Sequence, residues 1–250
     1  MRTIIEASWV VGHKKNQHTL IRDGVVVYED NTVIYVGKNF EGAVDRTIDA
    51  KNKLAAPGFI DTHVHSGHRA SHRLITDTGR PMYYGQPFLE ISVPKEGKIV
   101  KGDPRYLEHG DEGAEADFKL NAIFTVAELL RNGVTTFVEY GSQLKVQDAL
   151  LEEVIRLGTR AYLAPGYDCG RWVGDNLGRL KRVRNDQLRL DGLDVALEWI
   201  ERNDGAGNGR VRGILVPREV ETTSIEVLKR TCEVCLLYTS PSPRDELLSR

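Results

Sequence analysis

The sequence predicts an α/β chain: the first four or so βα units of a (β/α)8 TIM barrel, preceded by a small N-terminal β-sandwich segment. Three observations lead there. The first 55 residues are dense in Val, Ile, Thr and Tyr with short turn clusters. After Ala55-Ala56-Pro57-Gly58 the pattern changes to strand then helix, repeated. Two of the helical runs end on a glycine placed where a C-cap belongs, Gly133 and Gly158.

In the opening segment, Ile4 to Val11, Thr19 to Tyr28 and Thr32 to Val36 read as strands, the last two separated by the turn cluster Glu29-Asp30-Asn31. Beyond the Pro-Gly junction, Phe59 to Val64 is the first strand of the second pattern. Ala114 to Arg131 is an amphipathic helix with Ala122, Val126, Leu129 and Leu130 at helical spacing. Val134 to Tyr140 is the second strand and Lys145 to Leu157 the next helix. Thr159 to Ala164 is the third strand, followed by a helix over Gln187 to Arg202. A Gly-rich turn, Asp204 to Gly209, leads into the fourth strand, Val211 to Val216, and Thr223 to about Cys235 forms a further helix. Strands alternating with helices imply βαβ units and a parallel sheet. A whole barrel typically takes ~250 residues by itself, so this chain is expected to stop short of closing one. The reading divides the chain into 1–55, 56–234 and a tail, 235–250.

One connection is out of scale. Ser66 to Gly113 separates the first barrel strand from its helix, where βα loops ordinarily take ~2–6 residues. Loops after strands build the active site of barrel enzymes. Its Tyr83, Tyr84, Gln86 and Phe88 suit contact with a planar heterocycle or an amide, and equally the packing of a lid or of a tolerated insertion.

Composition narrows the class. Hydrophobic residues make up 40% and charged residues 28%, as in a soluble globular protein. A formal net charge of −2 offers no electrostatic footprint for nucleic acid or anionic lipid. No apolar run approaches the ~20 residues of a membrane span, and Met1 to Glu6 shows no secretory pattern. The three cysteines, Cys169, Cys232 and Cys235, form no disulfide framework. A cytoplasmic protein acting on a small molecule is therefore expected, and a homo-oligomer is left open.

The run Pro57-Gly58-Phe59-Ile60-Asp61-Thr62-His63-Val64-His65 carries the chemistry. Residues two apart on a strand share a face, so Asp61, His63 and His65 point one way and Ile60, Thr62 and Val64 the other. Two neutral imidazoles so placed suit one divalent cation, Zn2+ or Fe2+. A bare His-x-His is common and taken alone carries little.

Its context here resembles the amidohydrolase superfamily, in which Pro-Gly-hydrophobic-hydrophobic-Asp-x-His-x-His marks the first barrel strand. Gly133-Val134-Thr135-Thr136-Phe137-Val138-Glu139 fits the second strand of that family, and the likeness is strongest to its cytosine deaminase and triazine chlorohydrolase branch. The resemblance spans residues 1 to about 235 and includes the N-terminal segment, which in the family forms a composite sandwich with the C-terminal tail. It implies a hydrolase of carbon–nitrogen, non-peptide bonds, with His63 and His65 as metal ligands and a metal that lowers the pKa of water to ~7. It also implies two further histidines and an aspartate on later strands, none assignable here, so the chain alone is expected to be inactive. A binuclear branch, exemplified by cyclic-amide hydrolases, uses a modified lysine on the fourth strand. Gly213-Ile214-Leu215-Val216-Pro217 has none, which favours a single ion.

Other residues remain open between readings. Glu139 ends the second strand and faces either the site or a structural partner. His68 and His72 line the pocket, extend the metal shell, or are polar loop residues. Asp168 and Cys169 follow the third strand, with loop residues as the default. Cys232-x-x-Cys235 lacks the second pair of a zinc knuckle. Finally, Leu236 to Asp245 contains Ser-Pro-Ser-Pro, which cannot continue a helix. The segment from Cys235 reads as translated sequencing-adapter sequence, the alternative being a genuine unstructured C-terminus. A non-catalytic fragment or binding module is the rival reading of function.

Overall fold

The computed structural model describes residues 1–66, 112–175, 177, 179–184 and 191–238. The long connection with Tyr83, Tyr84, Gln86, Phe88, His68 and His72 falls outside them, as does the Ser-Pro-Ser-Pro segment. The chain divides into two compact units, Met1–Phe59 and Ile60–Arg250.

The first unit holds β1 (Arg2–Lys14), β2 (Gln17–Glu29), β3 (Thr32–Gly37) and β4 (Arg46–Ala55), hydrogen-bonded in the order β3-β2-β1-β4. Where the sequence suggests a small sandwich, the described residues form one four-stranded sheet. β1 and β2 pair antiparallel from Arg2↔Glu29 to Lys14↔Gln17, longer than their apolar runs suggest. Lys15 and Asn16 both take positive φ, 51° and 59°, the backbone of a tight two-residue hairpin turn. β4 lies parallel to β1 and escaped the sequence reading because Arg46 to Ala55 is largely polar. Its Ala50 joins Ala7 and Val10 in a small core, and Ile4, Val25 and Val27 form another.

The second unit is α/β. β5 (Phe59–Val64), β6 (Val134–Glu139), β7 (Arg160–Leu163) and β10 (Val211–Gly213) form a four-stranded sheet in which chain order is spatial order, β5-β6-β7-β10. β6 with β7 and β7 with β10 pair parallel. Helices α1 (Glu112–Arg131), α2 (Leu144–Leu157) and α3 (Asp191–Asn203) fall between successive strands. A one-turn α4 (Ala206–Gly209) precedes β10, and α5 (Ile225–Tyr238) follows it. The last helix runs three residues past Cys235. Helical spacing through Leu236 to Tyr238 permits this, and the proline break comes only at Pro241.

Register explains the core. Phe137, Ala161 and Val211 lie side by side across β6, β7 and β10, and none is more than 1% exposed. They point the same way as Val64 and Leu163, into a cluster with Ala122 and Val126 of α1, Leu150 and Val154 of α2 and Trp199 of α3. The helices therefore cover one face of the sheet. The alternate residues Tyr162 and Arg212 are exposed on the other. Helix α2 buries Val146, Leu150 and Val154 at four-residue spacing. It stops at Gly158, whose φ of 80° permits its N–H to reach Val154 O at 3.0 Å.

A hairpin, β8 (Gly170–Gly174) with β9 (Leu180–Arg184), follows β7 and was not legible as strands among its arginines and glycines. Tyr167 and Cys169, just before it, pack with Leu193 and Ala196 of α3 and Val227 of α5. Thr231 Oγ1 donates to Val227 O at 2.8 Å, so the Tyr167 hydroxyl is the donor in its 2.9 Å bond to Thr231 Oγ1. Burial pushes the Tyr167 phenol up to about 12, which keeps that donor in place. No helix among the described residues is long and apolar enough to cross a membrane.

Candidate metal centre

Strand alternation delivers the histidine pair. Val64 is buried against the helices at 8% exposure, so His63 and His65 stand on the open face. Their Nε2 atoms approach to 2.9 Å, and their rings meet edge to face at 4.8 Å between centroids. Asp61 does not join them in the same way. Its Oδ1 accepts the His63 backbone N–H at 3.1 Å and stiffens the strand end.

The pair fits a divalent cation. Two nitrogens each ~2.0–2.1 Å from a tetrahedral ion stand about 3.3 Å apart, a few tenths of an ångström from the separation seen. Partial burial holds the His65 imidazole below the usual histidine range, with His63 and Arg218 acting in the same direction and Glu139 opposing. A neutral ring is the ligating form. Among the described residues, no group of three or more His, Cys, Asp or Glu side chains converges as a metal cluster.

The mouth around the pair is built from residues the sequence reading passed over. The Tyr140 ring stacks on His63 at 4.4 Å and 22°, and meets His65 edge-on at 5.6 Å. Its backbone N–H donates to Val64 O at 2.8 Å, joining β6 to β5. Arg218, following β10, donates from Nε to Gly141 O at 3.0 Å and from its backbone to Tyr167 O at 3.0 Å. Gly166 donates to Ser142 O at 3.1 Å. The segments after three successive strands are thus tied to one another. The available signal was position alone, since Tyr140, Gly141, Gly166 and Arg218 each lie at most five residues beyond a strand.

Glu139 has no exposed surface and turns away from the open face, toward Gln147 of α2. Its carboxylate accepts the Ser66 hydroxyl at 2.8 Å, the Ser66 N–H at 3.4 Å and the Ser142 N–H at 3.0 Å, together with the Ser142 hydroxyl and the Gln147 amide. Asp168 is half-buried and Cys169 buried, and the Cys169 sulfur has a structural partner: Sγ accepts the Ser224 N–H at 3.3 Å. Cys232 is exposed and Cys235 half-buried on α5.

A sheet wound in chain order, β5-β6-β7-β10, thus carries helices on one face and a His-x-His pair at the end of its first strand. The chain is similar to the amidohydrolase superfamily in sequence as well as in fold. It is 29% identical over 224 residues to a 5-methylthioadenosine/S-adenosylhomocysteine deaminase of Thermococcus onnurineus, covering 84% of this chain and 45% of that protein. It is 23% identical over 213 residues to a 5'-deoxyadenosine deaminase of Methanosarcina barkeri, covering 85% and 41%. In structure it matches the triazine hydrolase from Arthobacter aurescens with a TM-score of 0.66 at 20% identity, over 95% of this chain and 51% of that one. No family model matches. The chain spans about half the length of the curated relatives it matches.

Proposed function

We propose that the protein is a metal-dependent hydrolase of carbon–nitrogen, non-peptide bonds, of the deaminase kind, in which His63 and His65 hold one divalent ion, zinc or iron. The observation that carries this reading is the approach of the two Nε2 atoms to 2.9 Å on the open face of a sheet whose other face is packed with helices. The sheet is read as the first half of a (β/α)8 barrel, with the pair at the mouth where barrel enzymes keep their chemistry. The ion would supply Lewis acidity that makes water nucleophilic near neutral pH. The chain's own residues hold the ligands: Asp61 braces the His63 backbone, Tyr140 stacks on its ring, and the low pKa of His65 keeps a lone pair available. The absence of lysine from Gly213 to Pro217 supports one ion over two.

The relatives that act on adenine nucleosides point to a small nitrogen heterocycle as substrate. Tyr83, Tyr84 and Gln86 are proposed to contact it. With two ligands on the described residues, the 250 residues alone are expected to bind metal weakly and turn over little, which keeps a binding-module reading alongside.

The test is ammonia release from adenine nucleosides, guanine and aminotriazines by the full-length protein encoded at the source locus. The expected result is turnover of at least one of these, lost in His63→Ala and in His65→Ala. No turnover in the metal-loaded protein, or turnover unchanged in both variants, would contradict the proposal.

A further inference from the structure

Burying a carboxylate is costly unless its oxygens are hydrogen-bonded, and Glu139 is both fully buried and fully engaged. The partners matter more than their number. Ser66, itself 0% exposed, directly follows His65, and its hydroxyl also lies 3.3 Å from the Ser142 hydroxyl. Ser142 belongs to the segment that leads into α2, and Gln147 lies in the helix itself. One carboxylate therefore fastens the end of the histidine strand to the end of β6 and to α2. On the open face, the adjacent residue Tyr140 stacks on the ring of His63. The last residue of β6 and the one after it thus address the two histidines from opposite sides of the sheet.

We propose that Glu139 is a positioning residue for the metal centre: through Ser66 it fixes the backbone that carries His65, and so sets the approach of the two Nε2 atoms. The role rests on the metal reading above. It differs from proton transfer, because the carboxylate is turned toward the helices and is taken up by Ser66, Ser142 and Gln147. Groups that orient metal ligands from behind typically account for ~10–100-fold in affinity. Glu139→Gln preserves shape but replaces one accepting oxygen with an amide that donates, so part of the Ser66 or Ser142 set is lost.

The test is titration of the folded chain with cobalt(II), reading both affinity and the visible absorption of the bound ion. Glu139→Gln is expected to weaken cobalt binding by ~10-fold or more and to alter the absorption spectrum. Ser66→Ala, which leaves four of the five hydrogen bonds to Glu139 intact, is expected to do the same and serves if the first variant fails to fold. The double variant should bind no more weakly than Glu139→Gln alone, since the two act in series. Gln147→Leu breaks the network on the helix side and should leave affinity within about twofold. Wild-type affinity in both Glu139→Gln and Ser66→Ala overturns the proposal, as do losses that multiply in the double variant. An equal loss in Gln147→Leu overturns it too, because that is the mark of general destabilisation. If cobalt binds wild type and His63→Ala equally, the metal reading itself falls and takes this inference with it.

Discussion

Trp199→Ala is expected to destabilise the second unit by ~3–5 kcal/mol, the range for emptying a fully buried large aromatic site. Trp199 is 0% exposed and lies in the cluster that joins the three helices to the strands, beside Leu150, Val154 and Val211. Its indole N–H also donates to Asp148 Oδ1 at 2.8 Å, tying α3 to α2. Removing it leaves both a cavity and an acceptor without its donor. Single domains are stable by only ~5–15 kcal/mol, so the loss takes much of the margin. Urea unfolding followed by circular dichroism measures it. Trp199→Phe, which retains most of the volume, is expected to lose well under half as much. Equal losses in the two variants would show that the hydrogen bond, not the packing, dominates.

Gly166→Ala is the second large effect, and its cause is space. A Cβ at Gly166 would lie 2.1 Å from Gly141 O and 2.9 Å from Arg218 Nε. Relief requires the segments after β6 and β7 to separate, which strains the Gly166 N–H bond to Ser142 O and the Arg218 bond to Gly141 O. Overpacking costs ~1–3 kcal/mol and a weakened hydrogen bond adds ~1 kcal/mol. Gly158→Ala is the control. Nothing lies within 4 Å of its Cβ, and only its φ of 80° resists a side chain. It should cost about 1 kcal/mol and leave metal binding alone. Because Gly166 supports the mouth, its variant should also weaken metal binding. A Gly166→Ala protein as stable as Gly158→Ala would mean that the two segments yield easily.

Much of the second unit was legible because its signals are local. Periodicity in α1 and α2, glycine at their ends, and runs such as Val134 to Glu139 each report structure within a few residues. Alternation was enough to place His63 and His65 on one side and Val64 on the other. The unread parts depend on partners distant in sequence. β4 is a strand because β1 lies beside it, despite its polar residues. The hairpin β8–β9 is rich in charge and glycine and gains its order by pairing. The fourth strand is shorter than its apolar run, since pairing with β7 ends at Gly213↔Leu163. At the site, Glu139 was visible as a strand-end carboxylate, but its direction was not. That depends on Ser66, 73 residues earlier, and on Gln147, eight residues later.

Equilibrium dialysis of the metal-free chain against zinc asks directly whether His63 and His65 together hold the metal. The expected result is weak, saturable zinc uptake, reduced to background in His63→Ala and in His65→Ala while circular dichroism shows both variants folded. Zinc uptake unchanged in the doubly substituted chain would contradict it.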